Sequence, residues 1–367
     1  MTLRLLIERL LYSGSAEEPF LRKVLLFPLH LLSLLYSTVI GLRTALYRTG
    51  LLRSSALPCR VVSVGNMTLG GTGKTPTVIY LAQLFQSRGL KTAVLSRGYR
   101  SQIPGPFAVV SDGQSILLGA REAGDEPLLL ARALPGTPVI IGPSRAFAGR
   151  FAAEQFSPDI ILLDDGFQHL KLKRDVDIVL IDQGMGFGNG RLIPRGILRE
   201  PLSALKRADI FIITKRTGKN QGQATEQLLA SRNPRAPVFS AGYAVKGLTA
   251  LNGAPAAGMK DLRGKRVLAL AGIGNPGYFT YLLRTHGIQV TEELLLPDHH
   301  RYTPGDAERL AACLHRVDCI ITTSKDACKM EGDSFKHLPI LVLEVMLEVE
   351  DEASFSDALF KRILEGR

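Results

Sequence analysis

Residues 61–76, VVSVGNMTLGGTGKTP, constrain the fold of this 367-residue chain more than any other segment. An apolar run leads into a glycine-rich turn, and Gly73, Lys74 and Thr75 then open a stretch with helical character. A phosphate-binding loop has this order, because backbone N–H groups curl around the anion and a helix N-terminus lies behind them. The segment therefore predicts a strand, a loop and a helix of an α/β sheet.

The loop departs from the usual pattern at one position. The pattern G-x-x-x-x-G-K-[ST] has a glycine where this chain has Thr68. Thr68 stands at the entrance of the loop, whereas the lysine and the hydroxyl that act on phosphates and Mg²⁺ are both present. A structural glycine turn without a ligand is the alternative. We predict a nucleotide-phosphate site formed by Thr68, Gly70, Gly71, Thr72, Gly73, Lys74 and Thr75.

Apolar strand-like runs alternate with helical stretches from residue 60 onward, and helices fit at 75–88 and 123–134. This alternation predicts a P-loop NTPase-like, mostly parallel sheet with helices on both faces. Residues 217–262 are richer in Gly, Ala, Asn and Lys and are expected to form a connection. The predicted strands are 61–64, 91–95, 139–141, 160–163, 178–181, 210–214, 266–271, 289–295, 319–323 and 340–344.

The first 55 residues differ from the rest. An amphipathic helix is predicted around residues 3–10, and residues 24–42 carry no formal charge but are flanked by Arg and Lys. The run is at the low edge of the length needed to span a bilayer, so we expect it to lie in the interface of an anionic membrane. A membrane span and an ordinary buried helix remain alternatives. The expected regions are 1–55 (membrane-associating helical region), 56–245 (core) and 246–367 (smaller C-terminal α/β domain with linker).

The segment DIILLDDGFQH offers acidic partners for the loop. Asp164 and Asp165 follow an apolar strand, and Mg²⁺ usually binds through one or two carboxylates together with phosphates and water. Asp164 is the main candidate for a metal ligand, with a helix cap as the alternative. Asp182 ends a second strand of similar type.

Adenine nucleotide is favoured over guanine nucleotide. A guanine-reading N-K-x-D loop is absent, since Thr214-Lys215-Arg216-Thr217 lacks the aspartate and Ser324-Lys325-Asp326 has the wrong spacing. We therefore expect ATP and Mg²⁺ as cofactors.

Composition narrows the range of partners. The formal charge of +11 favours anionic partners such as an acidic membrane or a phosphorylated substrate. Nucleic acid is disfavoured because Trp is absent, aromatic residues make up only 7% and no basic stripe contains interleaved aromatics. The four cysteines show no metal-binding spacing, which is typical of reduced thiols in the cytosol.

Three short clusters have no assigned role from pattern alone. SRGYR could place Arg97 or Arg100 near phosphates, GDEP puts Asp125 at a helix start, and PDHHRY places His299 in a loop. Taken alone, each cluster is better explained by an ordinary structural role, such as a helix cap for Asp125 or a surface histidine for His299.

Together the motifs resemble one family. G-N-x-T-x-G-G-T-G-K-T-P, S-R-G-Y, G-D-E-P, D-D-G-F-Q-H, R-G-x-L-R-E-P and D-H-H occur in the order seen in the lipid A 4′-kinases, the tetraacyldisaccharide 4′-kinases of Gram-negative bacteria. The similarity covers nearly the whole chain, and the threonine in the loop agrees with it. It implies ATP-dependent phosphorylation of the 4′-hydroxyl of a tetraacyldisaccharide 1-phosphate, giving lipid IVA at the cytoplasmic face of the inner membrane. It also implies an active site in a cleft between two domains of a monomer.

The resemblance also implies residue roles. Lys74 and Thr75 would hold the β- and γ-phosphates and Mg²⁺. Asp164 and Asp165 would belong to the metal and phosphate site, with Gln168 and His169 beside them. Asp125 would act as the base on the sugar hydroxyl and His299 would orient it, although the choice between His299 and His300 stays open. Residues expected near the transferring phosphate are Arg145, Arg199 and Glu200.

Two other functions are compatible with the residues themselves. One is a phosphate-loop kinase with a soluble acceptor, in which residues 1–55 only pack against the core. The other is a membrane-bound switch that hydrolyses ATP to change partners and needs no acceptor.

Overall fold

The computed structural model describes residues 20–99, 101–103, 105–216, 223–254, 256, 258–330 and 332–365. The helix predicted around residues 3–10 and the candidate Arg100 lie outside these residues.

Twelve strands, counted within the described part of the chain, form one sheet in the order β10-β9-β11-β12-β8-β7-β6-β1-β5-β2-β4-β3. All pairs are parallel except β3 with β4 and β8 with β12. The mostly parallel α/β sheet predicted from the alternation is confirmed. The strands are β1 Arg60–Asn66, β2 Thr92–Ser96, β3 Ala108–Asp112, β4 Pro138–Ile141, β5 Ile160–Asp164, β6 Val176–Asp182, β7 Ile210–Thr214, β8 Val238–Ala250, β9 Val267–Ala271, β10 Val290–Leu295, β11 Cys319–Thr323 and β12 Ile340–Val349.

Helices cover the sheet, and each α-helix is numbered here in chain order. The predicted helix at 123–134 is split in two, because Gly124 adopts φ +89° and ends the first piece. The α-helices are α1 Phe20–Arg48, α2 Lys74–Ser87, α3 Ala120–Ala123, α4 Asp125–Ala133, α5 Arg145–Phe156, α6 Gln223–Arg232, α7 Pro276–Thr285, α8 Pro304–Ala311, α9 Ser324–Ala327 and α10 Glu352–Glu365.

The strand β1 lies at the centre of the first half of the sheet, between β5 and β6. Val62 and Val64 are fully buried and pack with Val78 and Leu81 of α2 and with neighbouring strands. A strand that is buried on both faces reads as a continuous apolar run, which is why the sequence pattern predicted β1 correctly. Burial on both faces fixes the place where the loop after β1 emerges.

The prediction of a connection at 217–262 is wrong for most of the described residues there. Residues 223–232 form α6, and β8 is a 13-residue strand that pairs with β7 on one side and β12 on the other. Only Ala241 and Leu248 of β8 are buried, and glycines at 242 and 247 dilute its apolar pattern. Strand pairing on both edges therefore overrides a composition typical of a loop.

The direction of β8 decides how the two halves of the sheet face each other. Its first residues pair in parallel with β7, and its later residues extend beyond the end of β7 to pair antiparallel with β12. Strands β9, β10 and β11 run in the same direction as β12. Their carboxyl ends consequently point back toward the carboxyl ends of β1, β5, β6 and β7.

The helix α1 lies mostly on the surface. Residues 26–48 are long and apolar enough to cross a membrane, and only 11% of the most apolar window is buried. Its exposed side chains form an apolar face of Val24, Phe27, Leu31, Leu32, Leu34, Leu35, Val39 and Leu42. An ordinary core helix would bury this face, so that alternative does not describe α1.

Polar contacts hold α1 on the backbone of the core. The hydroxyl of Ser33 donates to Leu192 O at 2.9 Å, and the hydroxyl of Tyr36 donates to Arg199 O at 2.9 Å. Further along the helix, Arg43 donates to the carbonyl of Gln168 at 3.1 Å. Two of these three contacts reach the backbone of predicted site residues.

Candidate active site between the strand ends

The glycine-rich loop joins β1 to α2 and has a backbone that only glycine allows. Gly70 and Gly73 have φ values of +109° and +90°. A Cβ on Gly73 would also overlap the hydroxyl of Tyr243, which belongs to β8. Thr68, the residue that departs from the usual loop pattern, is buried. It forms an antiparallel bridge with Leu198, which attaches the start of the loop to a neighbouring segment.

Lys74 lies at the start of α2 in a cluster of charged and polar groups. Its Nζ is 3.3 Å from Asn66 Oδ1 and 3.7 Å from Asp165 Oδ1. Arg199 donates to both carboxylate oxygens of Asp165, at 2.8 and 3.2 Å. Burial alone would raise the pKa of Asp165, but Lys74 and Arg199 lower it. Asp165 is therefore an ionised carboxylate between two cations, next to the loop.

Asp164 is in a different state from its neighbour. Ser96 donates its hydroxyl to Asp164 Oδ2 at 3.1 Å, while Oδ1 is buried and has no hydrogen-bond partner among the described residues. Burial, followed by the negative charges of Glu126 and Asp165, raises the pKa of Asp164. A buried, unpaired carboxylate oxygen is costly unless a cation satisfies it.

Arg145 and Thr75 lie close to the same place in the fold. The guanidinium of Arg145, on α5, donates to the backbone oxygen of Asp164 at 3.2 Å, and burial lowers its pKa. Thr75 is buried at the first turn of α2. Within the part of the chain that is described, no three His, Cys, Asp or Glu residues could hold a metal ion by themselves. A cation here would need oxygen atoms from another molecule.

Asp125 opens α4 and pairs with a histidine from the other half of the chain. His299 Nδ1 is 2.9 Å from Asp125 Oδ2 and 3.1 Å from Oδ1. Burial alone would raise the pKa of Asp125, but His299 and then Lys325 lower it to about 2. His300 instead contacts Asp306, at 3.2 Å. Of the two histidines, His299 is the one that contacts Asp125, and its role in the reaction stays a prediction.

Gln168 and His169 lie beneath the loop. Gln168 donates its side-chain N–H to Asn66 O at 3.0 Å, and its Oε1 is buried without a partner among the described residues. Burial and then Arg145 lower the pKa of His169 to about 4, so the ring is neutral at pH 7. Both residues are adjacent to the cluster around Lys74, and their contact with nucleotide stays a prediction.

Glu200, expected near the transferring phosphate, pairs with an arginine. Arg207 donates to both of its carboxylate oxygens, at 2.7 and 3.0 Å, and stacks 4.4 Å from the ring centroid of Phe167. Glu200 is itself buried. The structure brings Arg199 to Asp165, but Glu200 next to it in sequence contacts Arg207. A role for Glu200 near the phosphate stays a prediction.

Sequence reasoning missed a group that holds the back of the loop. Lys215 donates to the carbonyl of Gly71 and, at 2.6 Å, to Asp182 Oδ2. Asn275, from the other half of the sheet, donates to the same carboxylate oxygen at 3.2 Å. The strand-end position of Asp182 was a signal, but nothing in sequence pointed to Asn275.

The two halves of the sheet meet at the loop. A Cβ on Gly274 would lie 2.8 Å from the backbone nitrogen of Gly71, so a larger residue at 274 would have to displace the loop. His299 and Lys325 reach Asp125 and Glu126 from the same half as Gly274. The predicted residues of both halves therefore surround one cleft between opposed strand ends, where ligands of α/β proteins are usually bound.

Known proteins match the chain over nearly its full length. A family model described as tetraacyldisaccharide-1-P 4′-kinase matches residues 24–364. The tetraacyldisaccharide 4′-kinase of Syntrophus aciditrophicus is 42% identical, over 92% of this chain and 93% of that protein. The kinase of the same name from Desulfatibacillum aliphaticivorans is 40% identical, over 100% of this chain and 99% of that protein.

A solved structure agrees with these matches. LpxK from Aquifex aeolicus, described as an "apo" form in complex with ATP, superposes with a TM-score of 0.72 at 31% identity. The superposition covers 93% of this chain and 99% of the Aquifex chain. Sequence and fold agree, and the chain belongs to the tetraacyldisaccharide-1-P 4′-kinase family.

Proposed function

We propose that this protein transfers the γ-phosphoryl group of ATP to the 4′-hydroxyl of a tetraacyldisaccharide 1-phosphate, which yields lipid IVA. The observation that carries the proposal is the contact between Asp125 and His299 at 2.9 Å, made across the cleft that also contains Lys74. A base held beside a phosphate loop meets the needs of phosphoryl transfer, which depends mostly on positioning and charge stabilisation.

The loop and Lys74 form the nucleotide side of the reaction. Backbone N–H groups at the start of α2 face an anion favourably, and Lys74 adds a positive charge that Asp165 already holds in place. ATP phosphates would draw Lys74 from this carboxylate, while Arg199 would keep Asp165 neutralised at 2.8 Å. The residues therefore fit a triphosphate without leaving Asp165 unpaired.

The residues at the end of β5 fit Mg²⁺. Asp164 has a buried oxygen without a partner among the described residues, and Thr75 supplies a hydroxyl at the first turn of α2. Oxygen donors of this kind, completed by phosphates and water, suit this ion. When bound, Mg²⁺ would neutralise charge on the phosphates. Asp164 would be its carboxylate ligand, and the neighbouring carboxylate of Asp165 would assist.

On the acceptor side, Asp125 would take the proton of the 4′-hydroxyl. The hydroxyl oxygen forms a bond to the γ-phosphorus as the bond from that phosphorus to the ADP oxygen breaks, and ADP leaves with the bonding electrons. Because the pKa of Asp125 is lowered to about 2, the carboxylate is ionised at neutral pH. His299 contacts both of its oxygens and thereby orients the base.

The chain organisation that supports this reaction is a core of residues 56–245 and a C-terminal domain of residues 246–367. The proposed boundary falls inside β8, so the two domains share one sheet. One apolar cluster, with Leu270 and Phe335, lies within the C-terminal domain and supports the division. The cluster of the core, with Val62 and Leu162, also contains Phe355 of α10, so this helix packs on the core. Residues 1–55 form the third region.

The exposed apolar face of α1 supports attachment to an anionic membrane, where the acyl chains of the acceptor reside. Arg43 and Arg48 near the end of the helix, together with the formal charge of +11, suit anionic headgroups. We place the protein at the cytoplasmic face of the bacterial inner membrane, as a monomer. Neither a nucleic-acid partner nor a soluble acceptor is part of the proposal.

Transfer of labelled phosphate from ATP to the lipid disaccharide, followed by thin-layer chromatography, tests the activity. We expect a labelled lipid product that depends on Mg²⁺, and ATP turnover that rises strongly when the lipid is added. Turnover of ATP at the same rate with and without acceptor would contradict a kinase and favour a switch. Transfer to a soluble sugar at the same rate as to the lipid would contradict the lipid acceptor.

Flotation with vesicles of anionic phospholipid tests the membrane contact. Leu35→Asp and Val39→Asp place charges on the exposed face of α1, at side chains that are 62% and 56% exposed. We expect both variants to lose flotation, whereas Leu364→Asp, at an equally exposed leucine of α10, should float like the parent. Equal flotation of all four proteins would contradict a membrane role for α1.

A further inference from the structure

Lys325 lies among three carboxylates at the meeting of the two halves. Its Nζ is 2.8 Å from Glu126 Oε1, 3.3 Å from Asp298 Oδ1 and 3.9 Å from Asp125 Oδ2. Only 17% of its side chain is exposed. A lysine this buried retains its charge because several acids surround it, and these acids raise its pKa although burial alone would lower it.

We propose that Lys325 is a positioning residue for phosphoryl transfer, which holds the carboxylate of Asp125 in the place and ionised form that His299 and the acceptor hydroxyl require. The inference rests on the proposed function, since Asp125 is its base. Lys325 belongs to the segment Ser324-Lys325-Asp326, which sequence reasoning considered only as a failed guanine motif.

The backbone beneath Lys325 is fixed by its neighbour. Asp326 Oδ2 accepts the N–H of Gly272 at 2.9 Å and the hydroxyl of Thr323 at 2.8 Å. Its other oxygen lies 2.7 Å from Lys329 Nζ. The short helix α9 that carries Lys325 is therefore attached to the end of β9. A side chain that leaves an anchored backbone reaches one place with little loss of conformational entropy.

Charge balance explains why a cation is needed there. Within the described residues, the charged and titratable groups around Asp125 are Glu126 on its own helix, Asp298 and His299 on the loop after β10, and Lys325, Cys328 and Lys329 on the segment after β11. Without Lys325, three carboxylates would face one another. Like charges at this distance favour protonation of one carboxyl group or its rotation away. Either change removes Asp125 from its pair with His299.

Lys325 acts on position more than on basicity. A nearby cation lowers the proton affinity of a base, so by that effect alone Lys325 would slow proton transfer. A net benefit from Lys325 must come from keeping Asp125 ionised and directed toward the acceptor. A purely structural ion pair between the two halves would instead contribute to stability and leave the kcat of the folded protein unchanged.

Two substitutions and one control test the inference in the full-length protein. Lys325→Met removes the charge and keeps the length of the side chain, whereas Lys325→Arg keeps the charge. Lys329→Met is the control, because Lys329 is also a buried lysine and pairs with Asp326 at 2.7 Å, but it contributes less than His299 and Lys325 to the lowered pKa of Asp125. Nucleotide binding should be unchanged in all three variants, since Lys325 does not contact the cluster around Lys74.

The first measurement is kcat as a function of pH with the lipid disaccharide and ATP. We expect Lys325→Met to lower kcat by up to about 10²-fold at pH 6. The acidic limb of its profile should move upward by about one pH unit or more. The acidic limb of Lys325→Arg should lie at the pH of the parent, and that of Lys329→Met should move less than that of Lys325→Met. A Lys325→Met profile that is parallel to that of the parent would overturn the proposal.

The second measurement does not require activity. The carboxyl ¹³C signal of Asp125, assigned through Asp125→Asn, should have its titration midpoint about one pH unit or more higher in Lys325→Met than in the parent. The same midpoint in both proteins would overturn the inference even if no acceptor were phosphorylated. Conversely, failure of the parent to label the lipid would reject the proposed function, whereas the titration would still report on Lys325.

Discussion

The site contains two groups of acids that are held in opposite ways. Asp164 and Asp165 are neighbours in sequence at the end of one strand, and their partners Ser96, Lys74 and Arg199 all come from the same half of the chain. Asp125 has partners from the other half, His299 and Lys325, which are 174 and 200 positions away. The first group is built locally, whereas the second exists only when the two halves face each other.

This difference suggests that nucleotide binding and completion of the reacting base depend on different parts of the chain. The contacts of Asp164 and Asp165 with Ser96, Lys74 and Arg199 do not involve the C-terminal half, and we expect this local group to bind nucleotide phosphates and a cation. The base beside the acceptor is complete only when His299 and Lys325 are in contact with Asp125. An enzyme arranged in this way can retain ATP while its reacting base is incomplete, which protects the nucleotide from hydrolysis by water.

The largest expected effect comes from Lys74→Met, which attacks the local group. A cation against the transferring phosphoryl group contributes about 10³- to 10⁵-fold to the rate in related reactions, so we expect a loss in that range. The lipid assay measures it, with Lys361→Met, an exposed lysine of α10, as the control. Retention of more than a tenth of the parent rate would show that the loop does not act through Lys74.

The next effect is that of Asp125→Asn, which attacks the group built from both halves. The amide keeps a hydrogen-bonding group opposite His299 but cannot accept the proton, so transfer should fall by about 10²- to 10⁴-fold. ATP affinity, measured by isothermal calorimetry, should not change. Asp357→Asn, at an exposed acid of α10, is the control. Loss of ATP binding in Asp125→Asn would mean that the two groups are not independent.

A smaller effect distinguishes the two local acids by stability. Asp164 has a folded-state pKa above its unfolded value of 3.8, so its ionisation costs stability as the pH rises through the folded pKa. Asp164→Asn should therefore raise the free energy of unfolding at pH 8, by about 1 to 3 kcal/mol, with no gain near pH 4. Activity should be lost. Urea unfolding in the presence of EDTA measures both pH values.

Asp165→Asn provides the matched contrast within the same pair. It removes the partner of Lys74 and Arg199, so the free energy of unfolding should decrease at pH 8. The two substitutions are chemically identical and one residue apart, yet we expect opposite signs. The same sign for both would mean that the surroundings of Asp164 and Asp165 do not differ as their contacts indicate.

The smallest expected effect concerns His169. Its folded pKa of about 4 lies below the unfolded value of 6.5, so the neutral ring favours folding above pH 6.5 and this contribution is lost as the pH falls toward 4. His169→Gln should flatten part of the loss of stability between pH 7 and 5, as measured by urea unfolding. His337→Gln, at an exposed histidine, is the control. Identical slopes for parent and His169→Gln would contradict burial of a neutral ring.

Contiguous features of the sequence predicted the local group well. The strand, the glycines, Lys74 and the acids after β5 each lie within one short segment, so chain geometry alone brings them to one edge of the sheet. The pairing of His299 with Asp125 came from the family resemblance, because no local pattern links residues 174 positions apart. Lys325 and Asn275 stayed unassigned for the same reason, as tertiary structure alone selects their partners.

The strand β8 shows a different limit of sequence patterns. Its residues are mostly half-buried and include two glycines, so no apolar period marks it as a strand. Pairing with β7 and β12 stabilises the strand, and the local sequence does not predict this pairing. Without β8, the sequence does not predict how the two halves are arranged, because this strand reverses the direction of the second half and makes the strand ends face each other.

The contacts of α1 have a consequence for how the site meets its surroundings. Tyr36 and Arg43 donate to the backbone at Arg199 and Gln168, so α1 is attached to segments that carry predicted site residues. In the membrane attachment proposed for α1, these contacts would set the height and tilt of the catalytic groups above the lipid surface. The fold would then fix the distance that the sugar headgroup must rise to reach them.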